Sequence, residues 1–73
     1  MLFRSEIKST LAQHIDDLPE KEKLVISMYY SDEMTMKEIG EVLEITESRV
    51  SQIHSQAVIR LRAKLRKDGL LEE

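Results

Sequence analysis

Residues 39–53 read IGEVLEITESRVSQI, and the placing of apolar and small side chains within this stretch decides the fold. Those positions are Ile39, Gly40, Leu43, Ile45, Val50 and Ile53. Two short helices that cross steeply after a turn of about three residues need apolar side chains at such places and a small one where the backbones meet. Gly40 is that small residue: a glycine inside a helix costs about 1 kcal/mol relative to alanine, so its presence calls for a packing reason. The turn of such a motif often carries glycine where this chain has Glu44. It is therefore expected to adopt a conformation that a side chain tolerates.

Working outward, Thr35 and Glu38 have the spacing of a capping box, which predicts a third helix over 35–43. After the connector Glu44-Ile45, Thr46 is the next natural N-cap, and a helical pattern then holds until Asp68-Gly69, predicting a long fourth helix over 46–67. On the other side, Pro19 suits the first turn of a helix, Glu20 and Glu22 follow where the helix dipole favours anions, and Leu24, Val25, Met28 and Tyr29 form an apolar face. This second helix covers 19–30 and is closed by the polar Ser31-Asp32-Glu33. Phe3, Ile7, Leu11, Ile15 and Leu18 recur every three or four residues, which predicts a first helix over 3–17 that stops before Pro19. One Phe, two Tyr, two Gly and one Pro supply few strand formers or chain breakers, so the class is all-α. A chain of 73 residues buries only about 60% of its unfolded surface and sustains a single core. The expected architecture is one compact four-helix domain over 1–73, containing a helix-turn-helix with a long C-terminal recognition helix.

Composition removes several classes of function. Without cysteine there are no disulfides and no thiolate metal sites, and nothing argues for an oxidising compartment. No apolar run approaches the ~20 residues of a membrane span, and the first residues lack the layout of a signal peptide, so a cytoplasmic protein is expected. His14 and His54 have no second ligand at metal spacing; His54 falls toward the core side of helix four and reads as a partly packed histidine donating to a neighbour. No nucleophile elbow or phosphate-binding glycine loop is present, so no enzyme, cofactor or small-molecule substrate is expected.

The net charge of −3 is unevenly spread. Residues 1–45 carry five basic and ten acidic side chains, whereas residues 46–67 carry six basic and one acidic. A basic terminal helix on an acidic body suits a DNA reader, and it equally suits a solvated helix with Lys and Arg placed by its dipole. The outer face of helix four separates these readings. At about 100° per residue, Val50, Ile53, Ala57, Leu61 and Leu65 take the core side, and Ser48, Ser51, Gln52, Ser55 and Gln56 the far side. A solvated face usually favours Glu and Lys. Short hydroxyls and amides instead suit base edges in a major groove, with Arg49, Arg60, Arg62, Lys64, Arg66 and Lys67 beside or beyond them for phosphates.

Three segments, Leu18 to Tyr30 (LPEKEKLVISMYY), Met36 to Leu43 (MKEIGEVL) and Ile45 to Arg62 (ITESRVSQIHSQAVIRLR), resemble region 4 of bacterial RNA polymerase sigma factors, and SRVSQIHSQA resembles the flagellar or motility subgroup. The resemblance covers roughly residues 18–65. It implies that helix four reads the minus-thirty-five element of promoter DNA and that the rest of the domain docks on the β-flap of the RNA polymerase core. It places Glu47, Ser48, Ser51 and Gln52 near bases and Arg49 near bases or phosphates; from their positions on helix four, Ser55 is expected to join the base-contacting set and Thr46, Arg49, Gln56, Arg60, Arg62 and Lys64 to form the phosphate-contacting set. Housekeeping members share Gln52 but usually carry Arg at the places of Glu47 and Ser51 and Glu at that of Ser48, so a different promoter sequence is implied.

The docking surface implied for the β-flap is an apolar groove between helices one to three that includes Leu24, Met28, Met36 and Leu43; the same residues also read as ordinary core. An anti-sigma factor is implied as an alternative partner. Two rivals remain: the DNA-binding domain of a quorum-type response regulator, which would dimerise on a palindrome, and a helical protein-interaction module. A complete sigma factor also needs domains that melt DNA and clamp polymerase, so an excised or natural fragment is expected.

Overall fold

The structure is a computed structural model and describes residues 11–69. Helix α1 is seen over residues 11–16, and the rest of the expected first helix, with Phe3 and Ile7, lies outside the described residues. The chain then turns at Asp17 and Leu18. Pro19, at φ −52° and ψ 149°, is the residue before the helix rather than its first member, and α2 spans Glu20–Ile26. Its fixed φ presets the entry, and its carbonyl accepts from Lys23 N at 2.9 Å.

The expected second helix does not finish as an α-helix. From Ser27 to Ser31 it widens into a π-turn, closed by Asp32 N donating to Ser27 O at 3.1 Å. The extra residue per turn rotates the tyrosine pair toward the long helix, where Tyr29 and Tyr30 stack edge-on with centroids 4.9 Å apart. Glu33 at φ 55° and a Met34 N to Met28 O bond of 3.0 Å then turn the chain.

Helix α3, Met36–Leu43, opens with both halves of the expected capping box: Glu38 N donates to Thr35 Oγ1 at 3.1 Å, and Thr35 N to Glu38 Oε1 at 2.9 Å. It ends at Glu44, whose φ of 60° and ψ of 42° are left-handed. The turn has thus kept the backbone conformation that glycine favours, at an energetic cost of about 1 kcal/mol for a side chain there. The carbonyl of Gly40 accepts from both Glu44 N and Ile45 N, which satisfies the helix end as a Schellman-type closure. A Cβ on Gly40 would lie 2.7 Å from the Ile45 carbonyl oxygen. The glycine therefore serves close approach between α3 and the turn itself.

Helix α4, Glu47–Lys67, is capped by Thr46, whose hydroxyl accepts from Arg49 N at 3.0 Å. Its core side packs on α2 and α3. Val25, Ile39, Val50 and Ile53 form one sealed cluster, walled by Met28, Tyr29, Met34, Met36, Leu43 and Ile45. Leu18, Ile26 and Ala57 form a second, smaller one with Ile15 and Leu61 against it. Helix α2 thus buries two faces, sending Val25 to one cluster and Ile26 to the other. His14 Nε2 and Asp68 Oδ2, 2.6 Å apart, tie α1 to the far end of α4.

Candidate nucleic-acid interface

The turn and the two caps aim α4, and its inner face leaves no freedom of rotation: Val50 and Ala57 are fully buried and Ile53 is 2% exposed. Glu47, Ser48, Ser51, Gln52, Ser55 and Gln56 are consequently exposed, as the helical period expects. Within this face Arg49 Nη1 donates to Gln52 Oε1 at 3.3 Å, so the carbonyl end of the Gln52 amide is occupied and its NH2 donors are free. The Thr46 hydroxyl oxygen already accepts the capping bond, which leaves that side chain its proton to donate.

The basic residues are placed differently from one another. Arg49 and Arg62 are exposed, and Lys64 is half-buried. Arg60 is drawn back onto the domain: its Nε lies 3.1 Å from both carboxylate oxygens of Glu22 and donates to Oε2. Glu22 is the one charged side chain buried among the described residues, a position that its first-turn place on α2 did not announce.

On the core flank of α4, Tyr30 Oη and His54 Nε2 are 2.8 Å apart, and the Tyr29 ring meets His54 at 5.2 Å and 61°. The half-packed histidine expected at this position is present, and the tyrosine partners come from the π-turn. The Tyr-Tyr pair in the sequence was the only signal for them. Glu38, in the cap of α3, is held below the ordinary carboxylate range by the Thr35 backbone N–H, with the Thr35 hydroxyl adding to it.

Leu24, Met28, Met36 and Leu43 lie on α2, the π-turn and α3. All four are half-buried, and Met28, Met36 and Leu43 wall the first core cluster. Met36 also borders a hollow beside Tyr29, Met34 and Glu47. A larger apolar concavity of about 660 Å³ lies elsewhere, between α1, the π-turn and the second half of α4, lined by Leu11, Ile15, Ile26, Tyr30, Leu61 and Leu65 among others. Among the described residues no helix is long and apolar enough to cross a membrane, and no group of side chains could hold a metal ion.

Comparison with known proteins bears on this arrangement directly. The family model for Sigma-70, region 4, matches residues 14–63. The RNA polymerase sigma factor FliA of Escherichia coli (strain K12) is 54% identical over 66 residues, covering 90% of this chain and 28% of that protein. FliA of Yersinia enterocolitica is 51% identical over 68 residues, covering 93% of this chain and 30% of its own length. RNA polymerase sigma-D factor of Bacillus subtilis (strain 168) is 46% identical, covering 90% of this chain and 26% of itself. The chain therefore spans under a third of the length of these relatives. Because the matched segment runs without interruption from α1 through the left-handed turn and along most of α4, the chain belongs to the Sigma-70, region 4 family.

Proposed function

We propose that this chain is the promoter-reading domain of a flagellar-type sigma factor and that α4 enters the major groove at the minus-thirty-five element. The observation that carries the reading is the outer face of α4: five exposed Ser and Gln side chains at 48, 51, 52, 55 and 56, standing opposite a fully packed inner face. Glu47, Ser48, Ser51, Gln52 and Ser55 meet base edges, where the free amide donors of Gln52 pair with an acceptor such as adenine N7. Thr46, Arg49, Gln56, Arg60, Arg62 and Lys64 meet phosphates and set the register. The domain binds and does not catalyse, and it acts wherever the polymerase acts, in the cytoplasm.

Docking on the polymerase β-flap fits the apolar concavity lined by Ile15, Ile26, Leu61 and Leu65 as well as the Leu24, Met28, Met36 and Leu43 set, since each set has three members packed on a core cluster. An anti-sigma factor would compete for the same surface.

The test is transcription by core polymerase supplied with the parent protein, on templates substituted throughout the upstream hexamer. Gln52→Ala is expected to cost about 1–3 kcal/mol at one promoter position and to leave the others unchanged. Arg62→Ala, assayed on DNA without polymerase because Arg62 also borders the concavity, is expected to weaken all sequences alike. Equal losses from Gln52→Ala on every template would remove the base-reading role.

A further inference from the structure

A buried carboxylate normally satisfies both oxygens, and Glu22 does not. Its side chain is sealed between α2 and α4, yet Oε1 has no hydrogen-bond partner among the described residues. Such a group is costly to bury, and the usual remedy is a fork in which Nε and a terminal nitrogen of one arginine serve one oxygen each. Arg60 stands at the right distance for that fork and does not make it. Only Nε, 3.1 Å from each oxygen, faces the carboxylate, and the two terminal nitrogens form no hydrogen bond within the described residues. The Arg60 side chain remains 57% exposed. At about 100° per residue, the eleven residues from Arg49 to Arg60 amount to three turns and roughly 20°, so the two arginines share one flank of α4 beside the polar face.

We propose that Glu22 is a positioning residue for DNA binding: it grips Arg60 by Nε and so holds the terminal nitrogens ready for a backbone phosphate on that flank. The inference rests on the reading that α4 enters a duplex. Its physical basis is ordering. A free arginine side chain loses rotamer freedom when it captures a phosphate, and a side chain already fixed at Nε has lost much of that freedom on folding. Lysine cannot take the place of arginine here, since its single ammonium must choose between the carboxylate and the phosphate.

The test is the salt dependence of binding to a labelled duplex of arbitrary sequence, about 20 base pairs long, measured for the 73-residue chain between about 50 and 200 mM salt with helicity followed by circular dichroism. Arg60→Ala is expected to lower the slope of log K against log salt by about 0.9, so that the variant loses about threefold less affinity than the parent across that range. Arg60→Lys, which does not endanger the fold, is expected to show the same reduced slope. Glu22→Met fills the same space without an acceptor and should weaken binding about threefold in the parent and not at all in the Arg60→Ala background. Glu22→Gln retains a carbonyl for Nε and should keep the parent's affinity. An unchanged slope in Arg60→Ala, a parental slope in Arg60→Lys, or equal losses from Glu22→Met in both backgrounds would each overturn the proposal. A folded parent chain with no salt-dependent binding to any duplex would remove the DNA reading itself, and this inference with it.

Discussion

The two halves of this small interior are built to different tolerances. Around Val25, Ile39, Val50 and Ile53, every side chain is at most 2% exposed, two of the three contributing helices, α3 and α4, begin with a side-chain cap, and the backbone of α3 closes directly on the turn. Around Leu18, Ile26 and Ala57 the packing among the described residues is thinner, with half-buried Ile15 and Leu61 at its edge and an open apolar concavity beside them. The sealed half fixes the direction of α4, which reading a groove requires. The open half keeps apolar surface that a partner can cover. A domain of this size achieves both because α2 divides its burial between the two clusters.

Truncation should expose that difference most strongly. Ile39→Ala removes a fully buried side chain from the sealed cluster and is expected to destabilise the chain by about 3–4 kcal/mol, seen as a large shift of the urea midpoint. Leu65→Ala, at the edge of the concavity, should cost about 1 kcal/mol, since its side chain is half-exposed and its loss enlarges a space already open. Comparable losses from the two would mean that the halves are equally packed.

Within the sealed half, the turn is the next place to probe. Gly40→Ala gains helix propensity of about 1 kcal/mol but drives a Cβ to 2.7 Å from a backbone oxygen, so a net loss of about 1–2 kcal/mol is expected in thermal unfolding. Glu44→Gly should act oppositely. Relief of the left-handed side chain, partly offset by the greater unfolded-state entropy of glycine, predicts a gain of about 0.5 kcal/mol. A loss at Glu44→Gly would show that the side chain makes a contact worth more than the strain.

These two residues also show what a sequence can and cannot convey. The need for a small residue at position 40 was legible from spacing alone, as were both caps and the in-or-out orientation of residues 47 to 57, whereas the turn at Glu44 was expected in a conformation that a side chain tolerates and is left-handed instead. That conformation was not legible, because side-chain identity biases φ while the Schellman closure onto Gly40 imposes it. The π-turn escaped for a similar reason: residues 19–30 have a regular helical pattern, and the widening is stabilised by tertiary contacts of Tyr29 and Tyr30 with His54, twenty-odd positions away. Glu22 was read as a first-turn anion favoured by the helix dipole. Only the approach of α4, thirty-eight residues on, buries it and supplies Arg60. The sequence left Leu24, Met28, Met36 and Leu43 open between core and docking surface, because apolar side chains on α2, the π-turn and α3 carry no mark of whether a neighbour will cover them.

The smallest effect concerns how each of the two motif helices is started. At α3 a carboxylate closes the cap, and the Thr35 backbone N–H holds Glu38 below its ordinary range, so the ionised form is favoured by the folded state. A carboxyl group depressed on folding contributes its stability above the unfolded value, and that contribution is lost as the pH falls through the folded one. At α4 the corresponding third position is Arg49, and the Thr46 hydroxyl caps alone, so no such acid-sensitive link exists there. Glu38→Gln keeps the hydrogen-bonding shape and removes the charge. Its melting temperature should fall slightly below that of the parent at neutral pH, and the gap should close as both are taken below about pH 4. A gap that persisted unchanged into acid would show that the ionised carboxylate adds nothing to the cap, and that α3 and α4 are started by equivalent neutral bonds.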